Sequence, residues 1–273
     1  MALLREMLSY TFLTRALAVG VLVSLCSALL GVPLVLKRYS MIGDGLSHVG
    51  FGALAIATAL HAAPLAVTIP VVAAAAFLLL RLSESSHIKG DAAIALISTG
   101  ALAVGVIVIS LSTGMNTEIN NYLFGSILSM SATDVKLSVA VAVVVLVLFI
   151  LFYNRIFAVT FDETFARATG VRAGGYNALL ALLTALTIVV GMRMMGAMLI
   201  SGLIIFPALS SMRLCKRFRR VIICSALVSV GCFVAGTTAS YALAIPTGAS
   251  VVCANILVLL LFSVIGRLKE GLH

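Results

Sequence analysis

Charge is scarce in this sequence and tryptophan is absent: Asp, Glu, Lys and Arg make up 10% of the 273 residues, against 62% that are hydrophobic. A water-soluble domain carries roughly 25% charged residues, so most of this chain's surface needs a solvent other than water. Acidic residues are the scarcer sign, nine against eighteen Lys and Arg, for a net charge of +9. On an apolar chain such an excess reports which loops face the cytoplasm, so lipid is the expected partner and nucleic acid is not. The five cysteines lack any CxxC or CxxH spacing: Cys26, Cys224, Cys232 and Cys253 fall in apolar runs and Cys215 in a basic loop. That excludes a zinc or redox centre built on them. Missing too are a Gly-x-x-x-x-Gly-Lys-Ser/Thr phosphate loop, a Gly-x-Ser-x-Gly elbow and a His-Glu-x-x-His pair. The chain is therefore not expected to be an enzyme, and any ATP hydrolysis must occur on another subunit. No small-residue cleavage site follows Met1–Tyr10, so a removable signal peptide is not expected.

What is present is a succession of long apolar runs. Cutting wherever charge, Pro, Gly or Asn clusters interrupt them gives nine spans: 11–36, 43–60, 63–81, 91–112, 134–153, 175–192, 194–212, 221–241 and 247–266. A helix needs about 20 such residues to cross the hydrocarbon. Runs such as Val139–Leu151 are apolar on every face, which suits lipid-embedded helices and not alternating barrel strands. The expected fold is all-α and polytopic, with eight or nine transmembrane helices in one domain covering 1–273. The count turns on 175–212, which could form two spans or one reentrant unit.

Basic residues orient the spans. With the N-terminus outside, fourteen of the eighteen Lys and Arg fall on the cytoplasmic side, and Arg5, Arg15, Lys136 and Arg193 outside. Segments 37–42, 82–90, 154–174, 213–220 and the C-terminus are then cytoplasmic.

Ionisable groups at membrane depth mark function, and Asp44 is the one acid not placed in a loop, a tail or a helix start. Asp91 and Asp134 open their spans and read as N-caps. His48 follows Asp44 by four residues, so on a helix the carboxylate and imidazole share a face. Together they suit Zn(II), Mn(II) or Fe(II), and leave coordination positions open, as a transport site requires. The competing reading makes Asp44 an N-cap with Ser47 and His48 in the first turn. Only about 16 residues would then remain before His61, roughly 24 Å of helix.

Three further features carry weaker signals. Phe161–Val171 reads as a short amphipathic helix stopped by Gly170, either a docking element for a soluble partner or a helix lying at the headgroups. Gly202 and Pro207 interrupt an apolar run, marking a gate or merely a kinked span. Met192, Met194, Met195 and Met198 could offer thioethers to Cu(I), although adaptable packing is the commoner use of such a cluster. His61, His87 and His273 have no partners in sequence and are assigned no role.

Several ordered segments resemble the membrane permease subunits of the ABC-3 family: Gly43-Asp44-Gly45-Leu46-Ser47-His48, Tyr122–Leu128, Asp162–Val171, Met195–Ala208 and Ile245–Ser250. The similarity covers nearly the whole chain. It implies import of zinc, manganese or iron, with no permanently bound cofactor, through a path to which Asp44 and His48 contribute. It also implies that 161–171, with Asp162, Glu163, Ala166 and Gly170, is the segment that meets a separate ABC ATPase. An extracytoplasmic metal-binding protein, a second permease subunit, identical or related, and a bacterial plasma-membrane location are implied as well. Gly45, Phe51 and Gly52 depart from the family pattern near the site. The alternative of a different class is a metal channel or scaffold without ATP coupling.

Overall fold

In the computed structural model, residues 10–84, 90–112 and 132–270 are described. The expected Tyr122–Leu128 segment, most of the 112–133 loop, and His87 and His273 lie outside them. The described residues form eleven helices. In chain order they are α1 (Thr11–Leu36), α2 (Ile42–Ala59), α3 (Pro64–Glu84), α4 (Gly90–Leu111), α5 (Ala132–Leu151), α6 (Tyr153–Phe161) and α7 (Glu163–Ala168). After them come α8 (Ala173–Met195), α9 (Ala197–Leu214), α10 (Phe218–Leu243) and α11 (Thr247–Glu270).

Each expected span corresponds to a helix. Seven of them, α1, α3, α4, α5, α8, α10 and α11, are long and apolar enough to cross a membrane. The other two, α2 and α9, have 18 residues each, about 27 Å of helix, at the short end of the spanning range. The 175–212 region is two helices and not one unit. Gly196 divides them with φ 87° and ψ 157°, a left-sided conformation that glycine adopts without the Cβ clash any other residue would meet. The backbone break expected from Pro207 is therefore found eleven residues earlier, and α9 runs unbroken through Pro207.

Burial sorts the helices into layers. The most apolar stretches of α1 and α8 are 67% buried, whereas those of α4, α5 and α11 are only 22% buried and show Val, Ile and Leu to the outside. That outward apolar face is what hydrocarbon solvates. At the centre α2 packs against α3, α4 and α9, while α9 also packs on α1, α10 and α11. Serines join α1 to α10: Ser225 Oγ donates to the Ala28 carbonyl at 3.3 Å and Ser229 Oγ to the Ser24 carbonyl at 2.9 Å. Such bonds hold helices together where lipid offers no hydrophobic drive.

Two close backbone approaches fix α2 and its neighbours. The Ile204 carbonyl of α9 stands where a Cβ on Gly31 of α1 would lie, and the Ala101 carbonyl of α4 would be 2.6 Å from a Cβ on Gly52. Because backbone, not a flexible side chain, is the neighbour, the helices would have to separate. Gly31→Ala should thus lower the melting temperature of the purified protein, by an overpacking cost of about 1–3 kcal/mol. A thermal melt of both proteins in the same detergent checks this.

Candidate metal-ion site and coupling helix

Asp44 is not a cap. Helix α2 begins at Ile42 with Met41 at the N-cap position and no side-chain cap bond, so Asp44 is its third residue. One carboxylate oxygen, Oδ2, stands 3.7 Å from His48 Nε2, and the other, Oδ1, receives a long contact from Ser201 Oγ at 3.5 Å. The expected carboxylate–imidazole pair is thus brought together on one face of α2. A separation of 3.7 Å is too long for a strong hydrogen bond. It lies within the roughly 4.2 Å that two donors, each about 2.1 Å from one ion, can span. His48 Nδ1 is buried without a hydrogen-bond partner, so the ring is not committed to a protein acceptor. Ser47, the neighbour, spends its hydroxyl on the Asp44 carbonyl at 2.7 Å and is not a donor to the site.

Ser201 was not among the residues singled out from sequence. It sits immediately before Gly202, and α9 carries it to Asp44 from 157 positions away. A hydroxyl inside an apolar run was the available signal. Gly202 is closely packed: a Cβ there would meet the Phe206 ring and Val252 at 3.3 Å. Among the described residues no three His, Cys, Asp or Glu converge. Met192 and Met195 are buried in the hydrophobic core. Their burial there is the packing role, while the side chains of Met194 and Met198 lie outside the described set.

The other acids resolve differently from their sequence reading. Asp134, expected to cap α5, lies inside its first turn and takes Arg193 Nη1 of α8 at 3.2 Å. Helix α4 already includes Gly90, so Asp91 lies inside it and is not its cap. Glu84 and Glu270 lie within α3 and α11.

The amphipathic segment 161–171 is broken at Asp162, whose extended backbone (φ −147°) separates α6 from α7. Asp162 is the N-cap of α7, its Oδ1 accepting from the Phe165 amide at 2.8 Å. At the other end Gly170 adopts φ 83°. Its amide donates to the Arg167 carbonyl at 3.0 Å and that of Val171 to the Ala166 carbonyl at 2.9 Å. This is a Schellman stop, with the hydrophobic contact between Ala166 and Val171 that accompanies it. Gly170→Ala should cost about 1 kcal/mol by forcing a Cβ into the left-handed region. Faster amide exchange confined to 163–171 is the expected readout.

Glu163 is the hub of a lock that sequence reading missed. Its Oε2 accepts from Lys37 Nζ at 3.2 Å and from Asn177 Nδ2 at 3.1 Å, and its Oε1 from Arg167 Nη2 at 2.6 Å. Lys37 Nζ also donates to Asn177 Oδ1 at 2.5 Å. Partial burial pushes the Glu163 carboxyl up, but the bonds from Asn177, Arg167 and Lys37, together with the Lys37 charge, outweigh it and hold the group below its ordinary value. Lys37 is the C-cap of α1 and lies seven residues before Asp44, so α7 is tied to the turn that leads into α2. Of the four residues expected to serve coupling, Asp162 caps α7, Glu163 fastens it, Ala166 is its buried contact and Gly170 stops it; Phe165 and Arg167 are exposed on it, as is Phe161 at the end of α6.

A bundle of helices long and apolar enough to cross a membrane, with a carboxylate–imidazole pair on α2 and a short helix fastened at one end, is the architecture of a polytopic membrane protein. The family model described as the ABC 3 transport family matches residues 9–266, and the chain belongs to that family. It is the membrane permease subunit of an ABC importer, with the ATPase on a separate chain, which replaces the ATP-independent alternative. Among its relatives is the manganese transport system membrane protein MntC of Halalkalibacterium halodurans, 29% identical over 247 residues, or 90% of this chain and 85% of that protein. The chelated iron transport system membrane protein YfeD of Yersinia pestis is 28% identical over 258 residues, covering 92% and 84%. Among solved structures, PsaBC from Streptococcus pneumoniae in complex with Fab superposes with a TM-score of 0.86 at 26% identity, covering 96% of this chain and 94% of that one.

Proposed function

We propose that this permease carries Mn(II) or Fe(II) into a bacterial cell, and that Asp44 and His48 are transient ligands in its path. The observation that carries the reading is the convergence of Asp44, His48 and Ser201 where α2 and α9 meet. Carboxylate and hydroxyl oxygens favour Mn(II) and Fe(II) over softer ions, and one imidazole is compatible with both. The names of the manganese and chelated-iron relatives support the same two metals ahead of zinc. An ion held by so few protein donors keeps water in its remaining positions and can leave.

Segment 161–171 is assigned to the ATPase, with the N-terminus outside and the C-terminus cytoplasmic. Both assignments are supported by the excess of Lys and Arg on that side, Arg155, Arg167 and Arg172 among them. ATP-driven closure of the ATPases would displace α7, and the Glu163–Lys37 lock would pass that displacement to the α1–α2 turn. Gly202 and Pro207 are assigned to the gate through α9, which holds Ser201 against Asp44. A second permease subunit and an extracytoplasmic metal-binding protein complete the importer.

The test is elemental analysis of cells expressing the chain with its ATPase and binding protein, with and without each partner. Accumulation of manganese or iron only in the full set is expected; zinc alone, or equal accumulation without the ATPase, would overturn the reading.

A further inference from the structure

A cavity of about 540 Å³ opens between α6, the 170–172 turn after α7, and α8, lined by the apolar Phe152, Tyr176 and Leu179 and by Arg155, Arg172 and Gly170. Both arginines are exposed. Among the described residues neither is in an ion pair: the nearby acids are committed, Asp162 to the Phe165 amide and Glu163 to Lys37 and Arg167. The first turn of α8 adds to this positive field. It has no acidic residue and no side-chain cap, and Gly174 leaves open space where a side chain would stand. Two guanidinium groups line one opening beside the N-terminus of α8, an arrangement that favours a phosphate-type anion.

The apolar side says which anion. Helix α5 ends at Leu151, one residue before Phe152, and its Val144, Val147 and Leu151 are exposed apolar side chains. The exposed apolar surface of α5 thus ends one residue before a wall of the cavity, and two cations line that same cavity. A free phosphate would use the cations but not the apolar surface, and an acidic protein surface would leave the apolar wall exposed. We propose that this cavity binds the headgroup of an anionic phospholipid, with Arg155 and Arg172 on its phosphodiester and its acyl chains along α5. The headgroup lies against Gly170 and Val171, so an occupied cavity braces the C-terminal end of α7. Basic pockets at the ends of membrane helices are suited to such lipids.

The test is native mass spectrometry of the delipidated full-length chain titrated with phosphatidylglycerol or phosphatidylcholine of matched acyl chains. One phosphatidylglycerol should bind at least about tenfold more tightly than phosphatidylcholine, which has the same phosphodiester but brings a quaternary ammonium, a further positive charge, beside Arg155 and Arg172. Arg155→Gln/Arg172→Gln should abolish that preference while keeping the wild-type melting temperature and elution volume. Arg267→Gln/Lys269→Gln, an equal loss of charge elsewhere, should keep it. Equal binding of the two lipids, or a preference that survives the Arg155/Arg172 change, overturns the proposal. So does displacement of phosphatidylglycerol by millimolar inorganic phosphate, which would make the occupant a free anion. If the paired variant instead loses ATPase binding and wild type shows no lipid preference, the cavity belongs to the ATPase.

Discussion

Asp44→Ala and His48→Ala should each reduce manganese or iron uptake by more than about 100-fold at limiting metal, with membrane abundance and ATPase association unchanged. Removing an outer partner of a metal ligand typically costs 10–100-fold in affinity, and Asp44 and His48 are the two side chains proposed to touch the ion itself. Ser201→Ala removes only a long contact to Asp44, so about tenfold is expected there. The competing account gives Asp44 a merely local task, that of an acid in the first turn of α2 complementing the helix dipole. That is worth about 0.3–1 kcal/mol of stability and nothing in transport. The two accounts separate on Asp44→Asn, which keeps the shape, loses the charge, and should transport as poorly as Asp44→Ala. Uptake by proteoliposomes carrying the complete importer, at metal concentrations below and above saturation, decides between them. Wild-type uptake by Asp44→Asn would return this residue to a helix-end role.

How much of this was legible in the sequence follows from the range of each interaction. Helices were legible because apolar length is a local property: the 11–36 span coincides with α1, and 247–266 falls inside α11. Asp44 and His48 were legible because four residues on a helix is one turn, and the structure keeps them on one face. Helix starts were read less well. Asp134 looked like a cap because it is an acid at the head of an apolar run, but the helix begins two residues earlier and Arg193, 59 positions away, claims its carboxylate. Likewise Pro207 looked like the place to break a helix. In an apolar bundle the freed backbone group at an internal proline is tolerated, as at Pro33 and Pro70, and the conformationally free Gly196 takes the break. Ser201, Lys37 and Asn177 were out of reach for a single reason: each acts on a residue more than a dozen positions away, across a packing that periodicity does not specify.

Breaking the Lys37–Glu163 lock should uncouple the importer without dismantling it. Glu163→Gln leaves the Lys37 ammonium, whose side chain is 9% exposed, with an amide in place of a carboxylate. Removing one member of a well-buried pair costs about 3–5 kcal/mol; since the Glu163 side chain is 32% exposed, about 2–3 kcal/mol is expected here. Lys37→Met should cost less, because Asn177 and Arg167 remain to satisfy the carboxylate. The double variant Lys37→Met/Glu163→Gln should fall short of the sum of the singles by about 1–3 kcal/mol, the mark of a direct interaction. Acid provides an independent check. The folded-state carboxyl titrates below its ordinary value of 4.5, so its contribution is complete above that value and is lost as the pH falls through the lowered one. The stability gap between wild type and Glu163→Gln should accordingly be constant through neutral pH and close only in acid. For the proposed coupling the informative quantity is metal moved per ATP hydrolysed. If the lock carries displacement from α7 to the α1–α2 turn, this ratio falls severalfold in both single variants while the ATPase stays bound and active. An unchanged ratio in a destabilised but assembled importer would confine Glu163 to holding α7 in place, and the motion would have to reach Asp44 through α8 and α9 instead.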